Sequence, residues 1–291
     1  MEPYRNSGPY AMFMVVHFEV GDDTRSLNFQ NRHWAAAVDF IRLAGKYDAR
    51  LTLQFNPQWA EYILLEKGRH DLLKQWRQEG HEIGLHHHGY DHGSWNGYTN
   101  RVGKEKDKRY RGSVSDMMEL MGRLAYPKDF LSGTISDEEI DYPECVKYDT
   151  EGIGIGHASR KPLKVTLAGR QVIQFGMACM SYDGDIESFK REYMKSSVDD
   201  IFGVITHESD FATDSFILEE WFEFLRSNNQ RIRTVSEIAA DYLISYNVGC
   251  SDDPLIFSKD IQSDSARIKK YLNGISSRIN PFGTDSVFKK G

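Results

Sequence analysis

The sequence predicts an α/β fold in which parallel strands are surrounded by helices, and three observations support this prediction. Short apolar runs of strand length alternate with amphipathic stretches over most of the 291 residues. Roughly six or seven such units follow one another, which is typical of parallel β/α folds. Several of the apolar runs end in histidine or glutamate. The periodicity alone favours a closed barrel and an open sheet equally.

The individual elements follow from periodicity and from residues that start or stop helices. Pro57 suits the first position of a helix, Gly45 and Gly80 suit helix ends, and Ser113 or Ser115 suits an N-cap. The predicted strands are 12–18, 50–55, 81–88, 201–206 and 231–234, with one or two more within 165–177. The predicted helices are 31–45, 57–64, 71–78, one ending at 124, 215–226 and 236–246.

The predicted domain covers residues 1–246, and residues 247–291 differ in composition. This C-terminal segment is rich in Ser, Asp, Asn, Gly and Lys and contains a single helical patch. We expect an appendage that packs on the domain or is partly ordered.

Composition excludes several classes of protein. A formal net charge of −7 disfavours unspecific nucleic-acid binding, which needs a positive field. Three separated cysteines, Cys145, Cys179 and Cys250, disfavour a disulfide scaffold and a four-cysteine zinc site. No apolar run approaches the ~20 residues of a membrane span or forms a signal sequence. We therefore expect a cytoplasmic protein without membrane or nucleic-acid partners, and the sequence permits an oligomer.

Histidine clustering is the strongest chemical signal in the chain. Five of the ten histidines fall between positions 81 and 92, in the segment GHEIGLHHHGYDH. A zincin helix requires HExxH, but Leu85 stands where the second histidine would be. A solvated cluster is disfavoured because the segment is internal and follows an apolar run. His88 and His92, four residues apart across Gly89, suit one divalent ion; of His86 and His87, one points into the pocket and the other into the core.

Two further strand ends carry residues that could complete such a site. His17 and Glu19 lie two apart at the end of the first strand and therefore share a face. His207 ends another apolar strand. Because functional side chains collect at the carboxyl ends of parallel strands, these three ends point to one rim.

These motifs together resemble the polysaccharide deacetylase (NodB-homology) superfamily. GHEIGLHHHGYDH is similar to its second motif, in which a strand leads into a metal-binding H-x-x-x-H pair. The first strand end resembles its first motif, and ITHESDF with the following helix, strand and helix resembles its last. The resemblance spans residues 10–245. It implies a distorted (β/α) barrel of about seven parallel strands with helices outside.

The first and third motifs depart from the family. Where the family has T-F-D-D-G, with a base and then a metal ligand, this chain has His17-Phe18-Glu19-Val20-Gly21. In one register Glu19 is the base. In the other, His17 takes the base position and Glu19 the ligand position. The family's Arg-Pro segment has no counterpart in residues 130–136.

The resemblance implies a metal-dependent hydrolase of a carbon–nitrogen bond. Its divalent metal, zinc by the donor set, would be held by Glu19, His88 and His92. His17 or Glu19 would take a proton from water, and His207 would donate one to the leaving amine. We expect a small N-acetylated saccharide or glycoconjugate as substrate. The alternatives are an amidohydrolase acting on a small non-sugar amide and a non-catalytic carbohydrate-binding barrel.

An insertion after the histidine cluster supplies candidate substrate-binding residues. Trp95 and Tyr98 are suited to stacking on sugar rings, and ordinary packing explains them equally well. Residues 101–111 hold six Lys or Arg against two acids, a charge balance that fits an anionic substrate but is more often that of a solvated loop.

Overall fold

The computed structural model describes residues 8–19, 26–152 and 154–247. Its elements in chain order are β1 (Ala11–Phe18), α1 (Leu27–Lys46), β2 (Thr52–Phe55), α2 (Pro57–Leu64), α3 (Lys67–Gln78), β3 (Glu82–His87), α4 (Val114–Met121), β4 (Ser132–Ile135), β5 (Tyr148–Gly152), β6 (Ser159–Arg160), β7 (Leu163–Leu167), β8 (Arg170–Cys179), α5 (Ile186–Lys195), β9 (Ile201–His207), α6 (Asp210–Ser227), β10 (Ile232–Arg233) and α7 (Val235–Asn247).

Seven parallel strands form a closed barrel, which confirms the predicted fold class. They run in the order β1, β2, β3, β4, β5, β8 and β9, and β9 pairs with β1 to close the ring. Three short strands lie off the ring: β10 pairs with the start of β1, β6 with β9 and β7 with β8. Because all seven strands run the same way, their carboxyl ends meet at one end of the barrel, here called the mouth.

Side-chain alternation along β1 shows how the interior is built. Met12, Met14 and Val16 pack outward among the helices. Phe13 and Val15 point inward and pack with residues of β8, β9 and α7. At the end opposite the mouth, α7 closes the interior with Val235, Ile238 and Ala239, all buried.

The ring of Phe13 packs tightly against a glycine in the barrel interior. Phe13 occupies the space beside Gly203, where an added Cβ would lie 2.4 Å from the Phe13 ring and 2.2 Å from the carbonyl oxygen of Gly176. Only glycine fits at position 203 with this ring in place. The interior below the mouth is therefore a packed core.

Helix starts follow the predicted chemistry. Asn56 accepts a hydrogen bond from the Trp59 amide at the start of α2, with Pro57 in its first turn. Ser113 and Asp116 form a capping box at the start of α4. Among the described residues, no helix is long and apolar enough to cross a membrane.

Several elements escaped the sequence prediction. Strands β4 and β5 and helix α5 were not anticipated, and α1 starts at Leu27 rather than at residue 31. The predicted appendage at 247–291 lies outside the described residues, apart from Asn247 at the end of α7, so it stays a prediction.

Candidate metal centre at the barrel mouth

Histidines and one glutamate converge at the mouth because they continue the inward faces of three strands. His17 follows Phe13 and Val15 on the inward face of β1, and Glu19 comes two residues later. His86 is near the end of β3, and His88 follows it. His207 ends β9 and lies directly opposite His17 in the parallel register.

Glu19 is the centre of this cluster. One carboxylate oxygen, Oε1, lies 3.1 Å from Nε2 of His86 and 3.7 Å from both Nδ1 of His17 and Nε2 of His207. The other, Oε2, lies 3.6 Å from Nε2 of His88. Four imidazoles from three strands thus surround one carboxylate.

Hydrogen bonds on the far side of two rings fix which nitrogen faces Glu19. Nδ1 of His88 lies 3.1 Å from the carbonyl oxygen of Ser94, so Nδ1 donates and Nε2 presents a lone pair to the carboxylate. Nε2 of His17 lies 3.0 Å from Oε1 of Gln54, whose amide nitrogen donates to Thr150. His17 therefore donates through Nε2, which leaves the lone pair of Nδ1 facing Glu19.

His207 is held differently from the other histidines. Its Nδ1 lies 3.5 Å from Oδ2 of Asp210, and Sγ of Cys179 is 4.0 Å away. Burial lowers its pKa, but the contacts with Asp210 and Cys179 outweigh burial and hold the pKa well above its ordinary value. Nδ1 therefore faces Asp210 and Cys179, and Nε2 faces the cluster.

The remaining histidines of the cluster are neutral at pH 7. Burial lowers the pKa of His86, His88 and His92 to about 4, and it lowers the pKa of His17 as well. Burial raises the pKa of Glu19, but attraction to His86 and His88 when these rings carry a proton outweighs burial and holds the pKa well below its usual range, so Glu19 is ionised. Neutral imidazoles around a carboxylate are the protonation states that metal binding requires.

The donor set fits a divalent metal. Glu19, His86 and His88 each bring one ligand atom within 4.8 Å of the others, and so do Glu19, His17 and His207. A carboxylate oxygen facing imidazole lone pairs is repulsive unless a proton or a cation lies between them. Nδ1 of His86 is also buried without a hydrogen-bond partner among the described residues. Two histidines and one carboxylate are a common zinc ligand set.

His92 and His87 lie outside these two sets. The ring of His92 packs 3.9 Å from that of His88, and its Nδ1 accepts from the Ser94 amide. His87 points away from the mouth into the core, where it contacts Asn96 and lies 3.7 Å from Asp141. Of the predicted ligands, the structure thus brings Glu19 and His88 together, whereas His92 packs against the ring of His88 outside both sets.

Trp95 and Tyr98 are buried, at 5% and 6% exposure. The indole nitrogen of Trp95 donates to the carbonyl oxygen of Tyr98, and Arg109 and Arg111 cover the two rings. Stacking on a sugar would require these rings to become exposed.

Tyr182, which sequence reasoning missed, is 62% exposed and its ring lies 5.5 Å from that of His207.

Sequence reasoning also left His86 without a role and missed Gln54, Thr150 and Asp210. Strand alternation from His88 back to His86 was the available signal for His86. Gln54 and Thr150 come from neighbouring strands without any shared motif. Asp210, three residues after His207, could have been found as a partner at the start of a helix.

Comparisons with known proteins agree with the fold. No protein-family profile and no curated protein matches the chain. An allantoinase structure has a TM-score of 0.57 at 13% identity, covering 82% of this chain and 92% of its own. A polysaccharide deacetylase described as probable, from Pseudomonas aeruginosa, has a TM-score of 0.53 at 10% identity, covering 81% and 91%.

A 4-alpha-glucanotransferase from Thermococcus litoralis is also similar, with a TM-score of 0.56 at 12% identity. The match covers 80% of this chain but 40% of that enzyme, so the shared barrel is one part of a longer protein. At these identities the likeness concerns the fold. The predicted resemblance to polysaccharide deacetylases is confirmed at that level: this seven-stranded β/α barrel is similar in fold to structures described as polysaccharide deacetylases.

Proposed function

We propose that the protein is a divalent-metal-dependent hydrolase that cleaves the amide bond of an N-acetylated saccharide or glycoconjugate. The convergence of Glu19 with His86 and His88 at the mouth carries the proposal. The fold supports it, because structures described as a polysaccharide deacetylase and an allantoinase are similar in fold to this chain. Both kinds of enzyme act on carbon–nitrogen bonds.

Glu19, His86 and His88 would hold the metal, and His92, which packs against the ring of His88, is the further candidate. When bound, a divalent ion polarises the substrate carbonyl and lowers the pKa of a water molecule. Zinc suits this donor set. The contact of Nδ1 of His88 with Ser94 orients its ring, as hydrogen bonds behind a ligand commonly do.

The first motif can be aligned with the family in two registers. The geometry favours the register in which His17 is the base and Glu19 is the metal ligand. Nδ1 of His17 has an available lone pair 3.7 Å from Glu19, and its lowered pKa keeps the ring neutral. His17 then accepts the proton of the attacking water. His207, protonated through its contact with Asp210, donates a proton to the leaving amine as the carbon–nitrogen bond breaks.

A second candidate is hydrolysis of a small non-sugar amide. The burial of Trp95 and Tyr98 favours it, because neither ring offers an open face to a sugar chain. A non-catalytic carbohydrate-binding barrel is the remaining alternative. Metal content separates it from both enzymes, since a binding barrel has no need of a bound ion.

Elemental analysis of purified protein together with turnover assays tests the proposal. We expect one equivalent of zinc, acetate release from N-acetylglucosamine oligomers, and loss of both in His88→Ala. His157→Ala is the matched control, because His157 is exposed and outside the cluster. Hydrolysis of allantoin instead of the oligomers would select the second candidate. Full zinc content in His88→Ala would contradict the site.

A further inference from the structure

We infer that Glu208 is a positioning residue that fixes the backbone of Glu19 at the mouth. This inference rests on the proposed function in one respect, that Glu19 is a metal ligand. Glu208 directly follows His207 at the end of β9, and its side chain points away from the cluster toward α1. It belongs neither to the sets of potential metal ligands nor to the acid and base pair.

Glu208 binds the end of β1 at two points. Its backbone amide donates to the carbonyl oxygen of His17 at 3.0 Å, which continues the sheet ladder by one residue. Its carboxylate oxygen Oε2 then accepts from the amide of Glu19 at 3.2 Å. The side chain of Glu208 thus replaces the next backbone acceptor at the point where β1 leaves the sheet.

The other side of this segment is held by α2. The indole nitrogen of Trp59 donates to the carbonyl oxygen of Glu19 at 2.9 Å. The amide of Asn56 donates to the carbonyl oxygen of Phe18 at 2.7 Å. Glu19 is therefore bound through its amide by Glu208 and through its carbonyl by Trp59, so its side chain is directed toward His86 and His88.

Burying the carboxylate of Glu208 is unfavourable in free energy unless another group compensates for its lost hydration. Glu208 is 2% exposed, and a buried carboxylate is unfavourable unless it is paired and hydrogen-bonded. His33 of α1 supplies the pair, with Nδ1 2.9 Å from Oε1. A residue needed only for packing at this position would not require a charge and a matching imidazole.

Zinc affinity of the metal-free full-length chain, measured by chelator competition with zinc ion as the probe, tests the inference. We expect Glu208→Ala to weaken zinc binding by about 10- to 100-fold, the range found for residues that orient ligands. Glu208→Gln should bind zinc nearly as the parent does, because its amide oxygen still accepts from the Glu19 amide. Equal loss in both variants would overturn the positioning role.

A control at the other end of the barrel separates positioning from stability. Glu82 also accepts from a backbone amide, that of Ser236 at 3.0 Å, but at the closed end. Glu82→Ala should lower the melting temperature and leave zinc affinity unchanged. Wild-type affinity in Glu208→Ala, with affinity lost in Glu19→Gln, would overturn this inference alone. Wild-type affinity in Glu19→Gln would overturn the proposed metal site itself.

Discussion

The two ends of the barrel interior are built from the same strands and differ in almost every chemical respect. At the closed end, Phe13, Phe175 and Met177 pack with α7 in an apolar core. At the mouth, two residues further along β1 from Val15, the interior becomes polar at His17 and Glu19. The change occurs over one alternation of a strand, a distance of about 7 Å.

This contrast separates stability from chemistry along the strand axis. Apolar side chains at the closed end contribute through burial, so their removal changes the free energy of unfolding. Polar side chains at the mouth are desolvated and lower the stability of the metal-free fold, which is tolerated where they bind or react. Substitutions at the two ends are therefore expected to affect different measurements.

Glu19→Gln should have the largest effect at the mouth. The amide keeps the size of the side chain but removes the charge that faces His86 and His88. We expect zinc to be lost and turnover to fall by about 10²–10⁴-fold, the scale of losing an essential group. Elemental analysis and a kinetic assay on the same preparation check this. Retention of zinc with loss of turnover would instead make Glu19 the base.

Phe13→Ala is the corresponding change at the closed end. The ring is fully buried and packs beside Gly203, so its removal should destabilise the fold by about 3–5 kcal/mol. Urea unfolding measures this loss. The folded fraction should still bind zinc with the parent's stoichiometry. Loss of zinc from folded protein would show that the two ends are not independent.

Asp210→Asn should have a smaller effect on turnover, exerted mainly through His207, although Asp210 also accepts hydrogen bonds from Ser181 and Thr206. Asp210 also accepts from the His207 amide at 2.8 Å, and asparagine can keep that contact through its oxygen. Removing the carboxylate lowers the pKa of His207. His207 therefore loses its proton at a lower pH than in the parent protein. We expect turnover to fall by about tenfold and the alkaline limb of the pH–rate profile to move to lower pH. An unmoved alkaline limb would exclude His207 as the acid.

His81→Asn, at the closed end, should have the smallest effect, and that effect is on the pH dependence of stability. Burial lowers the pKa of His81 to about 4, and its Nδ1 accepts from the Leu51 amide at 3.0 Å. A histidine with a depressed pKa contributes stability that is present above its unfolded pKa of about 6.5 and is lost as pH falls through 4. Asparagine keeps an acceptor that does not titrate, so acid unfolding should move to lower pH. An unchanged acid midpoint would contradict this, and zinc content should not change.

The strands that could be predicted from sequence are those with an apolar core-facing side. β1 and β9 read as apolar runs, and β3 is marked by its histidines. β4 and β5 were missed because they carry polar side chains. Thr134 and Thr150 face the polar region beneath His17, and Asp149 on β5 accepts a hydrogen bond from Gln174 of β8. Their polarity hides the strand pattern, and it is explained only by the neighbours that the closed barrel supplies.

The candidate site could be predicted in part for a similar reason. The sequence showed His17, Glu19, His88 and His207 at or just after the carboxyl ends of predicted strands. The parallel topology brings these side chains together. Gln54 and Glu208 were not visible as site residues, because each acts through a contact with another strand. Residues that touch the reacting groups leave a motif, whereas residues that orient them through another side chain leave none.

The packed interior of the barrel also limits how a substrate can enter and how a product can leave. In the part of the chain that the structure describes, Phe13 and α7 pack into the interior below the histidines and close that end of the barrel axis. Any molecule that reaches Glu19 along this axis must enter and leave by the mouth. An incoming substrate and a departing amine would then occupy the same path in turn. Such an enzyme is expected to be inhibited competitively by its own amine product.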